Sequence, residues 1–246
     1  MSEAPCAIAG AALAAIGVSV WAMPLCERAP LTLFAARFDC HRFRSEWFRD
    51  EAIGCPEHIA RSVRKRQAEF FYGRVCARAA LRHAGIGELA VGVGAAREPV
   101  WPAGAVGSIT HSRTVAAALV LPASRFAGVG IDIEEPIADA ALGSMLETVV
   151  SAPELARMRA LHAPLDLQAA LTLVFSAKES FFKAAYGTVQ RYFDFHAVEV
   201  VGFDAGARTI TFEVAETLCE RFCAGQVFRV RYAFLGDGQV ITGFVW

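Results

Sequence analysis

The chain lacks the marks of several protein classes. It carries no excess of positive charge: 24 Lys and Arg against 25 Asp and Glu leave a net charge of −1, so its bulk composition gives no sign of nucleic-acid binding. It has no C-x-x-C pair. Its seven cysteines (Cys6, Cys26, Cys40, Cys55, Cys76, Cys219 and Cys223) are odd in number and scattered. That spacing excludes a zinc cage and leaves reduced, mostly buried thiols as the expectation. It has no G-x-x-x-x-G-K-[ST] and no kinase glycine loop, and Gly92 and Gly94 in "VGVGAA" do not open a strand–helix unit, which counts against a kinase. Its long apolar stretch, "CAIAGAALAAIGVSVWAMPL", has Glu3 and no Lys or Arg ahead of it and is broken by Pro24. A secretory leader would be positive there, and the stretch is only marginally long enough to span a bilayer. We read a mobile start leading into a first buried strand around Ala15–Ala22, in a soluble, cytoplasmic protein with no membrane partner.

What is present is a core. The chain is 55% hydrophobic and 20% charged, enough for one large or two small globular domains. Residues 31–37, "LTLFAAR", read as a strand. From Pro56 the apolar residues Ile59, Val63, Phe70, Val75, Ala79 and Leu81 recur at helical spacing until Gly85. "VAAALVL" (115–121) and "AGVGIDIE" (127–134) read as a hairpin or an adjacent strand pair. Helical patterns over 138–163 and 165–186 precede four strand-like runs, "FHAVEVVGF", "TITFEV", "FRVRYAFLG" and "QVITGFVW". The order predicts an α+β protein in which each half lays a long helix on an antiparallel sheet.

Two carboxylates interrupt an apolar strand in "GVGIDIEEP". Alternation puts Val129, Ile131 and Ile133 on one face and Gly130, Asp132 and Glu134 on the other. Unpaired charge is too costly to bury, so Asp132 and Glu134 need a partner. The helix "FSAKESFFKAAYG" supplies Glu179 and Lys183, four residues apart and therefore able to pair as a surface ion pair. Taken together, Asp132, Glu134 and Glu179 form a hard-oxygen set suited to Mg²⁺, with Lys183 beside it. A structural carboxylate–arginine network satisfies the same pattern. In "RKRQAEFFYGRVCAR", Arg66 and Arg74 stand eight apart, near one helix face, with Glu69 between them and Arg78 one turn further on. Such a face is either merely solvated or a phosphate site. His111 in "SITHS" is either a structural residue or one that touches a phosphate or ribose.

"GVGIDIE", followed 47 residues after Asp132 by Glu179 of "FSAKESFFKAAYG", resembles the signature of the 4′-phosphopantetheinyl transferase superfamily. With "RKRQAEFFYGRVCARAAL" and "REPVWPAGAVGSITHS" the likeness spans residues 64–187, in the family's order, and points to its single-chain pseudodimeric group and the enterobactin synthase component D subgroup. The resemblance implies two similar halves, 1–125 and 126–246, in pseudo-twofold arrangement with coenzyme A in the cleft between them, and a monomer. It implies Mg²⁺-dependent transfer of phosphopantetheine from coenzyme A to a serine of apo acyl or peptidyl carrier proteins, releasing adenosine 3′,5′-bisphosphate. On matching positions, Asp132, Glu134 and Glu179 would hold the metal. Arg66, Arg74, His111 and Arg97 would contact the phosphates of coenzyme A, and Lys178 and Lys183 would flank the reacting one. Glu179 would be the base. The carrier, a small acidic helix bundle, would dock near residues 178–186. A coenzyme-A binder without catalysis is the main rival, and the intact Asp132, Glu134, Glu179 and Lys183 speak against it.

Overall fold

The computed structural model describes residues 16–27, 29–161 and 165–246. The apolar start before Ile16 therefore lies outside the described residues. Among the described residues the chain forms two compact units, one from residues 16–23 with Pro30–Ala127, the other from Pro24–Ala29 with Gly128–Trp246.

In the first unit, strands β1 (Val18–Met23) and β2 (Leu31–Arg37) precede two one-turn helices, α1 (Trp47–Asp50) and α2 (Glu57–Ala60), and the long helix α3 (Arg64–His83). A two-residue hairpin, β3 (Gly92–Val93) and β4 (Pro99–Val100), leads to β5 (Ala105–His111) and β6 (Val115–Pro122). The main sheet is antiparallel in the order β1-β2-β6-β5. Its first strand is an edge strand and only half-buried, not the buried strand expected. Alanine meets alanine where α3 lies on the sheet: Ala77, Ala79 and Ala80 pack in one cluster with Ala36, Ala116 and Ala118. Small residues on both sides let a helix approach a sheet closely.

The single helix expected from Pro56 is two. Ser62 donates its hydroxyl to the Ile59 carbonyl, and the Gln67 amide donates to the carbonyls of Ala60 and Ser62. These side chains satisfy the carbonyls that a continuing helix would have used. Val63 takes an extended conformation at the break and is 72% exposed, although its spacing matched the apolar stripe.

In the second unit, β7 (Val129–Glu134) is followed by α4 (Asp139–Val149), α5 (Ala152–Leu161) and α6 (Leu167–Val189). Asp166 caps α6 by accepting from Ala169 N at 2.7 Å. Strands β8 (Val198–Asp204), β9 (Thr209–Val214), β10 (Val227–Phe234) and β11 (Val240–Val245) complete the chain. The sheet is antiparallel in the order β7-β11-β10-β9-β8. The hairpin expected between 115–121 and 127–134 does not form. Strand β6 pairs with β2 and β5, whereas β7 pairs with β11.

The units repeat one connectivity. In each, the strand before the long helix (β2 or β7) pairs with the unit's last strand (β6 or β11), which pairs with the one before it (β5 or β10). The long helix, α3 or α6, packs on those three strands. Among the described residues, no helix is long and apolar enough to cross a membrane.

Glycine sets the distance between β7 and α6. A Cβ on Gly130 would sit 1.8 Å from the Ser180 carbonyl oxygen, and one on Gly128 would sit 2.2 Å from that of Ala184. Backbone cannot yield as a flexible side chain can. We expect Gly130→Ala to lower unfolding free energy by about 2–3 kcal/mol in denaturant titration. An unchanged midpoint would mean the strand is not seated on the helix.

Candidate functional site

Strand β7 turns Ile131 and Ile133, both fully buried, to one side, where Leu25 covers the neighbouring Gly243. Gly130, Asp132 and Glu134 alternate onto the α6 side. The close seating at Gly130 brings Asp132, 3% exposed, against the helix. Lys183 Nζ donates to Asp132 Oδ1 at 2.6 Å and to the Ile131 carbonyl at 3.3 Å. It closes on the strand rather than on Glu179, one turn back in its own helix. Glu134 lies near enough to Asp132 for the two carboxyls to act on each other.

The electrostatics follow from crowding. Burial first, then the neighbouring Asp132, pushes the Glu134 carboxyl up to about 8. Burial also raises Glu179, with Lys183 opposing and Asp132 adding to the rise. Burial alone would lower Lys183, but the carboxylates of Asp132, Glu179 and Glu134 outweigh it and hold the ammonium charged. Carboxyls gathered this way favour protons over charge, and a hard divalent cation relieves the same strain. The donor set is all oxygen, which is what Mg²⁺ takes. The set fits that ion in donor type, although among the described residues only Asp39, Cys40 and His41 bring three ligand atoms within 4.8 Å of one another.

Glu134 implies a pH dependence. Its folded value lies above the ordinary 4.5, so the folded chain holds a proton that the unfolded chain releases. The stabilisation is complete below about 4.5 and is lost as pH rises through about 8. In chelator-treated buffer, stability should fall across this window, and Glu134→Gln should remove on the order of 2 kcal/mol of that fall, since the carboxyl is partly exposed. Parallel melting-temperature curves for the two proteins would contradict the assignment.

Lys178 lies elsewhere. Its ammonium, 2% exposed, donates to the Val149 carbonyl at 2.8 Å, Glu154 Oε2 at 2.8 Å and the Phe195 carbonyl at 2.9 Å. All three N–H groups are committed to protein acceptors, so as placed it offers none to a phosphate. Glu154, fully buried, also accepts from Val200 N at 2.7 Å. Burial lowers the Lys178 value and Glu154 pulls it back up. Sequence reasoning missed Glu154, although Ser151–Glu154 has the S-x-x-E spacing of a capping box. The box forms: Glu154 N donates to Ser151 Oγ at 3.2 Å and Ser151 N to Glu154 Oε2 at 3.4 Å.

The first unit holds the basic residues. Arg66 Nη1 stands 2.9 Å from His111 Nε2 and 3.3 Å from Glu69 Oε2. A guanidinium only donates, so His111 Nε2 accepts and its proton sits on Nδ1. Glu69, 7% exposed, orients Arg66. Arg74 lies 4.6 Å over the Phe70 ring and donates to the Gly92 carbonyl at 3.1 Å. Burial, and then repulsion from Arg66, lowers it to about 10. A desolvated guanidinium facing a second, exposed one is stabilised by an anion. Arg74 also lines an open cavity of about 780 Å³ with Phe70, Arg78, Leu89 and Val91. Arg78 is bound to Glu51, with Nη2 2.7 Å from Oε2. Arg97 occupies the exposed turn between β3 and β4, with φ 68° and its N–H on the Gly94 carbonyl.

Asp39, Cys40 and His41 bring ligand atoms within 4.8 Å of one another. They are consecutive residues of a surface turn in which Asp39 already accepts from His41 N. Six cysteines among the described residues are free, and of these only Cys76 is buried, contrary to the expectation of mostly buried thiols. Burial pushes its thiol up to about 12.

Comparison with known proteins places these units. The 4′-phosphopantetheinyl transferase N-terminal domain matches residues 56–121, and the 4′-phosphopantetheinyl transferase superfamily domain matches residues 128–237. The chain is 39% identical over 189 residues to the 4′-phosphopantetheinyl transferase Svp of Streptomyces mobaraensis, a match covering 75% of this chain and 74% of that one. It is 38% identical over 145 residues to the 4′-phosphopantetheinyl transferase Npt of Nocardia iowensis (58% of this chain, 63% of that one). It is 37% identical over 149 residues to enterobactin synthase component D of Salmonella typhimurium (60% and 59%). The matches to these last two relatives thus span about three-fifths of each relative's length. Both halves of the fold match in the expected order, and the chain belongs to the 4′-phosphopantetheinyl transferase superfamily.

Proposed function

We propose that the protein transfers the 4′-phosphopantetheine group of coenzyme A to a serine of an apo acyl or peptidyl carrier protein. The observation that carries this reading is the seating of β7 on α6, which gathers Asp132, Glu134, Glu179 and Lys183. Arg66, Arg74 and His111 are the phosphate-binding groups in this reading. The repulsion of Arg74 by Arg66 and the contact of Arg66 with His111 support it. Asp132, Glu134 and Glu179 would hold Mg²⁺, which supplies charge neutralisation to a pyrophosphate.

The serine hydroxyl needs a base near neutral pH. Glu179, raised by burial, takes that proton. The serine oxygen forms a bond to the phosphorus bearing the pantetheine, and the bond from that phosphorus to the bridging oxygen breaks. Adenosine 3′,5′-bisphosphate leaves with the electron pair, and Lys183 donates a proton to it. Asp132 keeps the Lys183 ammonium charged and in place until then. Arg97 joins the phosphate-binding groups from its exposed turn, whereas Lys178, with its N–H groups committed in the buried pair, takes no part.

The test is direct. The protein is incubated with coenzyme A and a panel of apo carriers, with Mg²⁺ or with chelator, and carrier mass is followed. The expected result is a gain of one phosphopantetheine with Mg²⁺ alone. A panel in which carriers are retained on the protein but never gain mass would leave a binder and end the proposal.

A further inference from the structure

Ser176 and Ser180 of α6 take no part in the roles above, yet both are fully buried, as is Thr242 of β11. Thr242 stands directly opposite Asp132 in the β7–β11 pairing. Ser180 Oγ lies 2.7 Å from Thr242 Oγ1 and 3.2 Å from the Thr242 carbonyl oxygen, and Thr242 Oγ1 lies 2.9 Å from Ser176 Oγ. Ser176 Oγ donates to the main-chain carbonyl of Asp132 at 3.3 Å. Each hydroxyl has one proton to give. Every proton is used when Thr242 gives its to Ser176 and Ser176 gives its to the Asp132 carbonyl, with the Ser180 proton going to Thr242 Oγ1 or to the Thr242 carbonyl.

The surroundings make the arrangement informative. Phe181, Phe244 and Ala177 share this buried layer, and apolar residues would fill it without the cost of desolvating three hydroxyls. Apolar contact also tolerates sliding, whereas a directed chain of hydroxyls does not. Ser176 and Ser180 are one turn apart on α6. Glu179 and Lys183 follow each of them by three residues, about 60° around the helix at 100° per residue. Fixing Ser176 to both β11 and β7 therefore fixes the height at which Glu179 and Lys183 meet Asp132.

We propose that Ser176 and Thr242 are positioning residues, whose hydroxyls set the register of α6 on β7 and hold Asp132 against Lys183. The role in turnover rests on the functional reading above. The register itself does not.

Thr242→Val keeps the shape and removes the hydroxyl, Thr242→Ser keeps the hydroxyl, and Ser176→Ala cuts the link to Asp132. Ser180→Ala removes only the first donor and leaves the rest of the chain intact. Two quantities are measured on each: steady-state transfer from coenzyme A to an apo carrier, and the acetylation rate of Lys183 by acetic anhydride, traced by mass spectrometry. Thr242→Val and Ser176→Ala should lose about ten- to a hundredfold in kcat with the KM for coenzyme A within about twofold, as misplacement of reacting groups does. In both, Lys183 should acetylate about threefold faster or more as its grip on Asp132 loosens. Thr242→Ser and Ser180→Ala should stay within about threefold in kcat. Wild-type values for Thr242→Val, or a Thr242→Ser as impaired as Thr242→Val, would overturn the proposal. Should Thr242→Val not fold, Ser176→Ala decides by the same numbers. If the wild-type protein transfers nothing, the functional reading fails alone, and the Lys183 rates still decide the positioning.

Discussion

Lys178→Met should lower unfolding free energy by about 3–5 kcal/mol, because it leaves Glu154 buried without its counter-ion. The pair lies in the interior of the second unit, with side-chain exposures of 1% and 0%, so water cannot take the place of the lost ammonium. Some of the loss is recoverable. Glu154→Gln keeps an oxygen for Val200 N, which Glu154 Oε1 now satisfies, while removing the stranded charge. The double variant Lys178→Met/Glu154→Gln should therefore be more stable than Lys178→Met. The pH dependence has a definite sign. A carboxyl left alone in this interior has its folded value raised, so Lys178→Met should be least impaired in acid and most impaired above neutrality. The double variant also separates two roles for Lys178. If the ammonium serves only to bind α6 to α5 and the Phe195 carbonyl, transfer per folded molecule should be within about threefold of wild type. A double variant that folds stably and transfers nothing would return Lys178 to the phosphate.

The same residue shows where the sequence was legible and where it was not. Alternation in "GVGIDIE" located β7 and put Asp132 and Glu134 on one face, and the helical period located α6. Both periodicities are local, set by backbone geometry within a few residues. The orientation of Lys178 was also accessible in principle. Adjacent helix residues diverge by about 100°, so Lys178 and Glu179 cannot both face β7, and Glu179 with Lys183 already claims that side. What no local pattern supplies is the partner at long range. Glu154 lies 24 residues from Lys178, and Thr242 lies 66 from Ser176. Strand pairing failed for the same reason. Residues 115–121 and 127–134 are close enough in sequence to suggest a hairpin, but the last strand of each unit offers a neighbour on which the long helix also packs. The break after α2 was hidden because it depends on side-chain hydrogen bonds from Ser62 and Gln67, which hydrophobic spacing does not register. On the first unit, the eight-residue spacing of Arg66 and Arg74 was readable. The sharing of Arg66 between Glu69 and His111 was not.

Glu179→Gln should reduce kcat for transfer by about 10²–10⁴-fold, the range for loss of a general base. The substitution is nearly isosteric, so its effect on the fold isolates the chemistry. The wild-type carboxyl is raised by burial and by Asp132. Its ionised form therefore weakens the folded state at neutral pH, and the neutral amide removes that penalty. The variant should melt no lower than the wild type at pH 7 to 8 while turning over far more slowly. Few residues combine those two signs, since a merely structural glutamate loses stability when neutralised. The pH profile supplies the second criterion. In the wild type the rate rises as Glu179 loses its proton. In Glu179→Gln that acidic limb disappears, and the residual rate depends only on groups such as Lys183, held charged by its carboxylate neighbours. A Glu179→Gln protein that keeps the limb at reduced amplitude would assign the base elsewhere and leave Glu179 as a ligand or a counter-charge to Lys183. The KM for coenzyme A should rise only as far as the Mg²⁺ site suffers from losing one carboxylate, because the arginines and His111 proposed to bind its phosphates are untouched. A rise in KM with kcat unchanged would instead mark Glu179 as a group that binds substrate without moving its proton.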